Sequence, residues 1–401
     1  MIEIKTSLTR LYRGARIAAA TTALLVMLGC GDDKDVDPPA ELTDITTTRD
    51  VRRVWTAGLG GDAERLRLAL KPVVVEGTVY AASHAGVVAA MAANNGKRIW
   101  QVKTKLALSA GPEVGAGMVV LGSSDGDVIA LDASNGAERW RKAIASEILA
   151  QPLIVNDLVV IRTVDGHLEG LSLVDGSTKW ALDESVPRLT LRGTAPPVLA
   201  GDRIIAGFDS GKVLAVDPRN GEVLWDTIVN APRGRTELER LADIDSPARV
   251  AGDDIFVVGF QGRIAMLARD SGQIWWARDA SSYRGFAMDE RNLYLTNADS
   301  VVIAMRRSDG AVQWEQDTMR RRGLSAPTVD GDALVVGDFE GYLHWLDKET
   351  GAIVARQKTD GERITNAAVT DGERVFVQTD SGKLLVFRSA PREVKTADSG
   401  E

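Results

Sequence analysis

Residues that commonly catalyse reactions or bind metals are sparse in this sequence of 401 residues. Histidine is the most common general base and metal ligand, and the chain has three: His84, His167 and His344. They occupy different positions within the sequence repeat described below, so the repeat does not bring them together. No phosphate-binding loop or His-Glu-x-x-His motif occurs. The sequence therefore predicts no catalytic residue and no metal site.

The single cysteine, Cys30, follows an N-terminal segment typical of secretion, with four basic residues before an apolar stretch at 17–29. This stretch is too short to span a bilayer as a helix, which needs about 20 residues. Leu28-Gly29-Cys30 resembles a bacterial lipobox, although Met27 replaces the usual leucine. These features predict a lipoprotein signal peptide over residues 1–29 and a diacylated Cys30 that anchors the protein in lipid. The alternative is an ordinary signal peptide followed by a free, buried cysteine.

Charge excludes one class of partner for the mature chain. Residues 1–29 hold four basic residues and one acidic residue, so 44 basic and 55 acidic side chains remain, a formal charge of −11. This charge argues against nucleic acid as a partner. Gly31 after the cysteine, where aspartate would favour retention in the inner membrane, points to the outer membrane. Residues 30–50 predict a flexible acidic tether, and residues 389–401 predict a flexible tail.

The rest of the chain repeats one pattern: a glycine, nine residues, a second glycine, three residues and a tryptophan. Five full copies and one with Ser300 as its first residue occur, and they end at Trp100, Trp140, Trp180, Trp225, Trp276 and Trp314. A seventh copy has Ala355 in place of tryptophan, and an eighth begins at Gly382 and stops. Repeats of about 40 residues with strand-like content are typical of propeller blades.

One unit of the repeat shows the expected blade. Strands at 118–122, 128–131 and 137–144 are joined by the turns Asp125-Gly126 and Asn135-Gly136, where glycine accepts the positive φ. An inner strand starts near Pro112, which makes four antiparallel strands. The recurring tryptophans are expected to pack blade against blade, and Trp275 and Trp345, outside the pattern, are expected to be packing residues.

The ends of the chain predict how the ring closes. The eighth unit, residues 367–388, supplies three strands, and residues 51–58, with Trp55, have no repeat of their own. We therefore predict an all-β, eight-bladed β-propeller over residues 51–388, closed by the N-terminal strand.

Two consecutive repeats are longer than the others, because successive second glycines lie 40, 40, 45, 51, 38 and 41 residues apart. The insertions fall in 181–195 and 226–245, and strand parity places both connections on one rim. Leu189 and Leu191 in the first, and leucines at short helical spacing in 237–245, suit an interface with apolar anchors and a charged rim. Alternatively, Leu238 and Leu241 fold back on the propeller, and Arg192 pairs internally with Asp243 or Asp245.

The repeat resembles that of quinoprotein dehydrogenases, as in Ala130-x-Asp132 followed by Gly136 and Trp140. That resemblance implies a metal-bound pyrroloquinoline quinone, commonly capped by paired cysteines. This chain has one cysteine and lacks the length for the usual lid insertions. A dehydrogenase is therefore the alternative rather than the expectation, and no cofactor is expected.

The chain as a whole resembles the BamB family, lipoprotein subunits of the outer-membrane β-barrel assembly (BAM) complex. The resemblance is carried by the lipobox, the acidic tether, the repeats, Leu-Thr-Leu-Arg-Gly at 189–193 and Glu-Arg-Leu-Ala-Asp-Ile-Asp at 239–245. It implies a non-enzymatic scaffold, anchored to outer-membrane lipid and facing the periplasm, that binds the POTRA domains of BamA and assists insertion of barrel proteins. By motif match the contact residues are Leu189, Leu191, Arg192, Asp243 and Asp245. Direct capture of nascent outer-membrane proteins by β-augmentation is a rival interpretation.

Overall fold

Short apolar runs between turn residues form strands throughout the part of the chain that is described. The computed structural model describes residues 38–61, 63, 66–191 and 193–392, and all its strands lie in the compact unit that begins at Ala40. Cys30 and Arg192 lie outside the described residues. Within them, no helix is long and apolar enough to cross a membrane.

Two strands, β1 (Arg49–Gly58) and β2 (Ala69–Leu70), precede the first blade. Blades one to four each contain four consecutive antiparallel strands, and β2 extends the sheet of blade two by pairing parallel to its inner strand. Their bounds are β3 (Val73–Val75), β4 (Thr78–Ala82), β5 (Val87–Ala92), β6 (Arg98–Lys103); β7 (Leu108–Gly115), β8 (Met118–Ser123), β9 (Asp127–Asp132), β10 (Glu138–Ala143); β11 (Leu153–Val155), β12 (Leu158–Arg162), β13 (His167–Ser172), β14 (Thr178–Asp183); β15 (Val198–Ala200), β16 (Arg203–Gly207), β17 (Lys212–Val216), β18 (Val223–Ile228).

Blades five to seven repeat this arrangement, and blade eight takes its fourth strand from the start of the chain. The bounds are β19 (Arg249–Ala251), β20 (Asp254–Val258), β21 (Arg263–Ala268), β22 (Ile274–Asp279); β23 (Phe286–Met288), β24 (Asn292–Thr296), β25 (Val302–Arg306), β26 (Val312–Gln316); β27 (Thr328–Asp330), β28 (Ala333–Gly337), β29 (Tyr342–Asp347), β30 (Ile353–Lys358); β31 (Val369–Thr370), β32 (Val375–Gln378), β33 (Lys383–Pro391). The predicted eight-bladed propeller is confirmed.

Ring closure follows the prediction. Strand β1 pairs antiparallel with β33, from Arg49 opposite Pro391 to Gly58 opposite Lys383. Both strands extend beyond the predicted limits of the propeller. Strand β1 begins before residue 51, and β33 ends after residue 388. The middle strands of the blades are almost completely buried, and the buried clusters combine residues of adjacent blades.

The glycine–tryptophan spacing of the repeat is explained by contacts between blades. The indole N–H of Trp100 donates to the carbonyl oxygen of Ala133 at 2.8 Å, and that of Trp140 donates to Leu173 at 2.8 Å. Each ring also covers the second glycine of the next repeat: a Cβ on Gly136 would lie 2.6 Å from the ring of Trp100. The glycine thus meets two demands, since it also has a φ of 75°.

Blade seven, which lacks the tryptophan, uses another contact. Its buried Trp345 donates to Asp330 at 3.0 Å and lies edge-on to Phe387 of blade eight, so it packs as predicted. Trp275 does not: its side chain is 54% exposed. It neighbours Trp276 on an outer strand, where adjacent residues point to opposite faces, and Trp276 takes the buried one.

Candidate functional site

The two inserted connections lie side by side. The first joins β14 to β15 and the second joins β18 to β19. The backbone N–H of Leu191, in the first, donates a short hydrogen bond to Oδ2 of Asp243, in the second. Gly193 lies so close to Asp245 that an added Cβ would sit 2.9 Å from its carboxyl carbon. The two loops therefore form one surface, here called the paired-loop rim (residues 184–191 and 229–245).

Apolar side chains reach the surface from both loops. Leu189 is 38% exposed, Leu191 is partly buried, and Leu238 is 65% exposed. Leu241 is buried and folds back onto the propeller. Around Leu238 the chain forms a turn in which Thr236 and Glu239 bond to each other's backbone N–H, and the short helical spacing does not produce a helix. Of the two leucines in the second loop, Leu238 therefore lies at the surface and Leu241 lies in the core.

The two aspartates of the predicted contact lie beneath this surface. Asp243 and Asp245 are buried, near the buried ion pair between Arg162 and Asp209, whose charged atoms lie 3.1 Å apart. Arg162 comes from blade three and stacks over the ring of Phe208, 4.6 Å from its centroid. Arg162 therefore lies close to three carboxyl groups, of which Asp245 is also attracted by Arg67.

This imbalance changes the acidity of the carboxyl groups. Burial raises the pKa of Asp243 to about 6, against the opposing hydrogen bond from Leu191. Burial, together with the charges of Asp243 and Asp209, raises the pKa of Asp245 to about 8. Neither carboxyl oxygen of Asp245 has a hydrogen-bond partner within the described chain. Asp243 can therefore hold the first loop in place by accepting the bond from the backbone of Leu191. The carboxyl oxygens of Asp245, by contrast, have no hydrogen-bond donor within the described chain.

The predicted site residues are thus only partly gathered on the surface. Leu189 and Leu191 lie on the paired-loop rim, and Asp243 and Asp245 support it from below. The burial of the aspartates could not be read from the sequence, because Arg162 and Asp209 belong to strands and turns of other repeats.

Sequence reasoning missed a second feature, the axial cavity. Residues at or just before the first strand of every blade line one cavity of about 370 Å³, so these strands surround the axis. Asp245 lines it, which connects it to the paired-loop rim. Its charged lining includes Arg67, Lys71, Glu113, Arg249 and Arg284. The sequence contained only a weak indication of this cavity. Arg67 and Lys71 precede the inner strand of blade one, in a connection that lies outside the repeat.

Each of the three histidines contacts a different part of the chain. His84 bonds to the carbonyl oxygen of Leu108 at 2.8 Å, and His167 lies 2.6 Å from Asp183. His344 is buried beside Asp338, at 3.2 Å. In the described ranges, no group of three His, Cys, Asp or Glu residues is arranged to hold a metal ion.

The sequence of this chain is similar to those of known proteins. A family model described as outer membrane protein assembly factor BamB matches residues 84–316 and 309–390. The relative of the same description from Pseudomonas aeruginosa is 45% identical over 371 residues, which cover 92% of this chain and 98% of the relative. That from Alkalilimnicola ehrlichii is 45% identical over 381 residues, with coverage of 95% and 98%.

Solved structures show the same architecture. BamB from Moraxella catarrhalis superposes with a TM-score of 0.78 at 27% identity and covers 84% of this chain and all of that one. A quinohemoprotein alcohol dehydrogenase from Comamonas testosteroni superposes with a TM-score of 0.66 over 88% of this chain and 78% of its own. At 15% identity, the second likeness concerns the fold alone.

Proposed function

Because this chain belongs to the family of BamB outer membrane protein assembly factors, we propose that it is a non-enzymatic scaffold whose paired-loop rim binds the POTRA domains of BamA. Its general role, assembly of outer-membrane proteins within the BAM complex, follows from the family. The proposal concerns how this chain takes part.

The observation that supports the proposal is the hydrogen bond between Leu191 and Asp243. It ties together the two inserted connections, on which Leu189 and Leu238 are exposed. Exposed apolar residues on a fixed backbone are typical anchors of protein interfaces, since little ordering is needed on binding. Arg192, between Leu191 and the connection back to the core, is proposed as a charged contact by its place in the motif.

The proposal includes a lipid anchor at Cys30, supported by the lipobox and by the outer-membrane role of the family. Nine residues separate Cys30 from Ala40, where the compact unit begins. A chain of that length spans at most about 35 Å when extended. An anchored propeller would therefore stay close to the periplasmic surface of the outer membrane.

The test is copurification with BamA from detergent-solubilised envelopes. Leu189→Ala combined with Leu191→Ala should reduce recovery of BamA about tenfold or more, since interface leucines that act as anchors each contribute over about 1 kcal/mol. Melting temperature should change little, because Leu189 and Leu191 lie outside the blade strands.

The matched control is Leu224→Ala. Leu224 is 45% exposed, close to the value for Leu189, but lies on the outer strand of blade four. Recovery of BamA should be normal with this variant. Normal recovery with the double variant as well, in a folded protein, would remove the paired-loop rim from the interface.

A further inference from the structure

The axial cavity has an excess of positive charge. Four basic residues line it: Arg67 and Lys71 precede the first strand of blade one, Arg249 begins β19, and Arg284 lies in the connection before β23. None of them forms an ion pair with an acidic residue of the described chain. Two carboxyl groups also line the cavity, and they act at longer range: Glu113 attracts Lys71, and Asp245 attracts Arg67. Cations that converge in excess in a confined space attract an anion strongly.

Lys71 and Arg249 form the first cationic pair. Burial and, to a smaller extent, the charge of Arg249 lower the pKa of Lys71 to about 8, so the two side chains repel each other. The Lys71 ammonium has no hydrogen-bond partner among the described residues, and Arg249 makes one bond, from Nε to the carbonyl oxygen of Phe286 at 3.1 Å. Their donors therefore remain available to a ligand.

Glu113 is the acidic residue that acts on this pair, and it is a weak counter-charge. Burial raises its pKa to about 7 despite the attraction of Lys71 and a hydrogen bond from Gln151 at 3.0 Å. A glutamate with that pKa is about half protonated at neutral pH.

Arg67 and Arg284 form the second pair, and both contact the ring of Tyr283. Their guanidinium carbons lie 4.5 Å and 4.8 Å from the centroid of its ring. Arg67 also donates to the carbonyl oxygen of Tyr283 at 3.3 Å. Stacking fixes the planes of the guanidinium groups, which suits them to bind carboxylate or phosphate oxygens in pairs.

From this arrangement we propose that the axial cavity binds a small soluble organic anion with two or more carboxylate or phosphate groups. One acidic group would contact Lys71 and Arg249, and another would contact Arg67 and Arg284. A volume of 370 Å³ accommodates about a dozen groups of the size of a water molecule, which is the size of a small polycarboxylate. This inference is independent of the proposed BamA interface.

The test is titration calorimetry of the full chain in detergent at constant ionic strength, with citrate and inorganic phosphate as probes. Citrate should bind saturably at one site and at least tenfold more tightly than phosphate, because it has several acidic groups. Lys71→Met combined with Arg249→Met should weaken citrate binding at least tenfold. Arg219→Met, at an arginine whose side chain is 85% exposed, should leave it unchanged.

Thermal unfolding provides a second measurement. Citrate should raise the melting temperature of the wild type and of Arg219→Met but not of the double variant. Removing two repelling charges should not itself destabilise the protein; if the double variant nevertheless fails to fold, Arg67→Gln with Arg284→Gln takes its place. Lack of saturable citrate binding, binding that survives loss of the cations, or phosphate binding as tight as that of citrate would each overturn the proposal.

Discussion

At the scale of single residues, the buried carboxyl groups of Asp243 and Asp245 define how the paired-loop rim is held. One of them holds the backbone of Leu191, and the other has both oxygens unbonded within the described chain. An acidic residue in that position is tolerated most easily when it is protonated, because a buried, unpaired carboxylate is costly. The protonation of Asp245 should therefore govern local stability.

We predict that the folded protein loses stability as the pH rises through the range in which Asp245 ionises. An unfolded aspartate has a pKa of about 4, whereas in the folded chain burial raises the pKa of Asp245 to about 8. Between these values the folded state holds a proton that the unfolded state has lost, so stability falls with each increase in pH. Asp245→Asn, neutral at every pH, should show a smaller fall in melting temperature between about pH 5 and pH 8.

The control is Asp202→Asn, at an aspartate whose side chain is 82% exposed and whose pKa is lowered by its bond to Arg203. Its profile should parallel that of the wild type in this range. A profile for Asp245→Asn that also parallels the wild type would mean that Asp245 is already ionised in the folded state.

The limits of sequence reasoning are clearest at this scale. The type and spacing of Leu189 and Leu191 predicted a surface, and both lie on the rim. The same reasoning grouped Asp243 with them, because acidic residues in loops are usually solvated. Asp243 is instead buried near Arg162, 81 positions earlier, and a contact over that distance leaves no local pattern in the sequence.

At the scale of strands and turns, the repeat predicted nearly everything. Each glycine–glycine–tryptophan copy encodes two turns and the start of an outer strand, so blade number and strand order could be counted. The residue that each tryptophan contacts could not be predicted from the repeat, because it lies in the next copy. The contact of Trp100 with Gly136, one repeat later, explains why this glycine has to be a glycine.

We predict that Gly136→Ala destabilises the protein more than Gly117→Ala does. Both glycines have a φ of 75°, so both variants strain the backbone by about 1 kcal/mol or more. A Cβ at 117 meets nothing within 4 Å, whereas at 136 it meets the ring of Trp100 at 2.6 Å. The overpacking should add about 1–3 kcal/mol, measured by denaturant unfolding. Equal losses for the two variants would show that the ring moves aside freely.

At the scale of the whole molecule, stability depends on joining the two ends of the ring. Strand β1 pairs with β33, and Trp55 carries the contact into blade one, where its indole N–H donates to Ala93 at 3.0 Å. The ring of Trp55 also lies against Gly96. Blade eight is therefore held to blade one in the same way as Trp100 and Trp140 hold their blades to the next.

We predict that Trp55→Ala loosens this junction. Trp55 is partly buried, so its loss should cost less than the roughly 3–5 kcal/mol of a fully buried tryptophan, and the effect should concentrate where the ring closes. Hydrogen exchange in residues 383–391 should become faster, while exchange in blades three to five should keep its wild-type pattern. Trp275→Ala, at an exposed tryptophan, is the control and should change neither. Unchanged protection of residues 383–391 in Trp55→Ala would show that the backbone pairing alone holds the ring shut.

The pairing of β1 with β33 also sets an order of events during biogenesis. Arg49 and Pro391 are partners separated by 342 positions, so the first strand to be made is the last to be paired. While the chain emerges, seven blades can form one after another, but β1 has no partner until the C-terminal residues arrive. A protein cut short near its C-terminus would consequently expose a long unpaired strand edge, the kind of surface that quality-control proteases and chaperones bind.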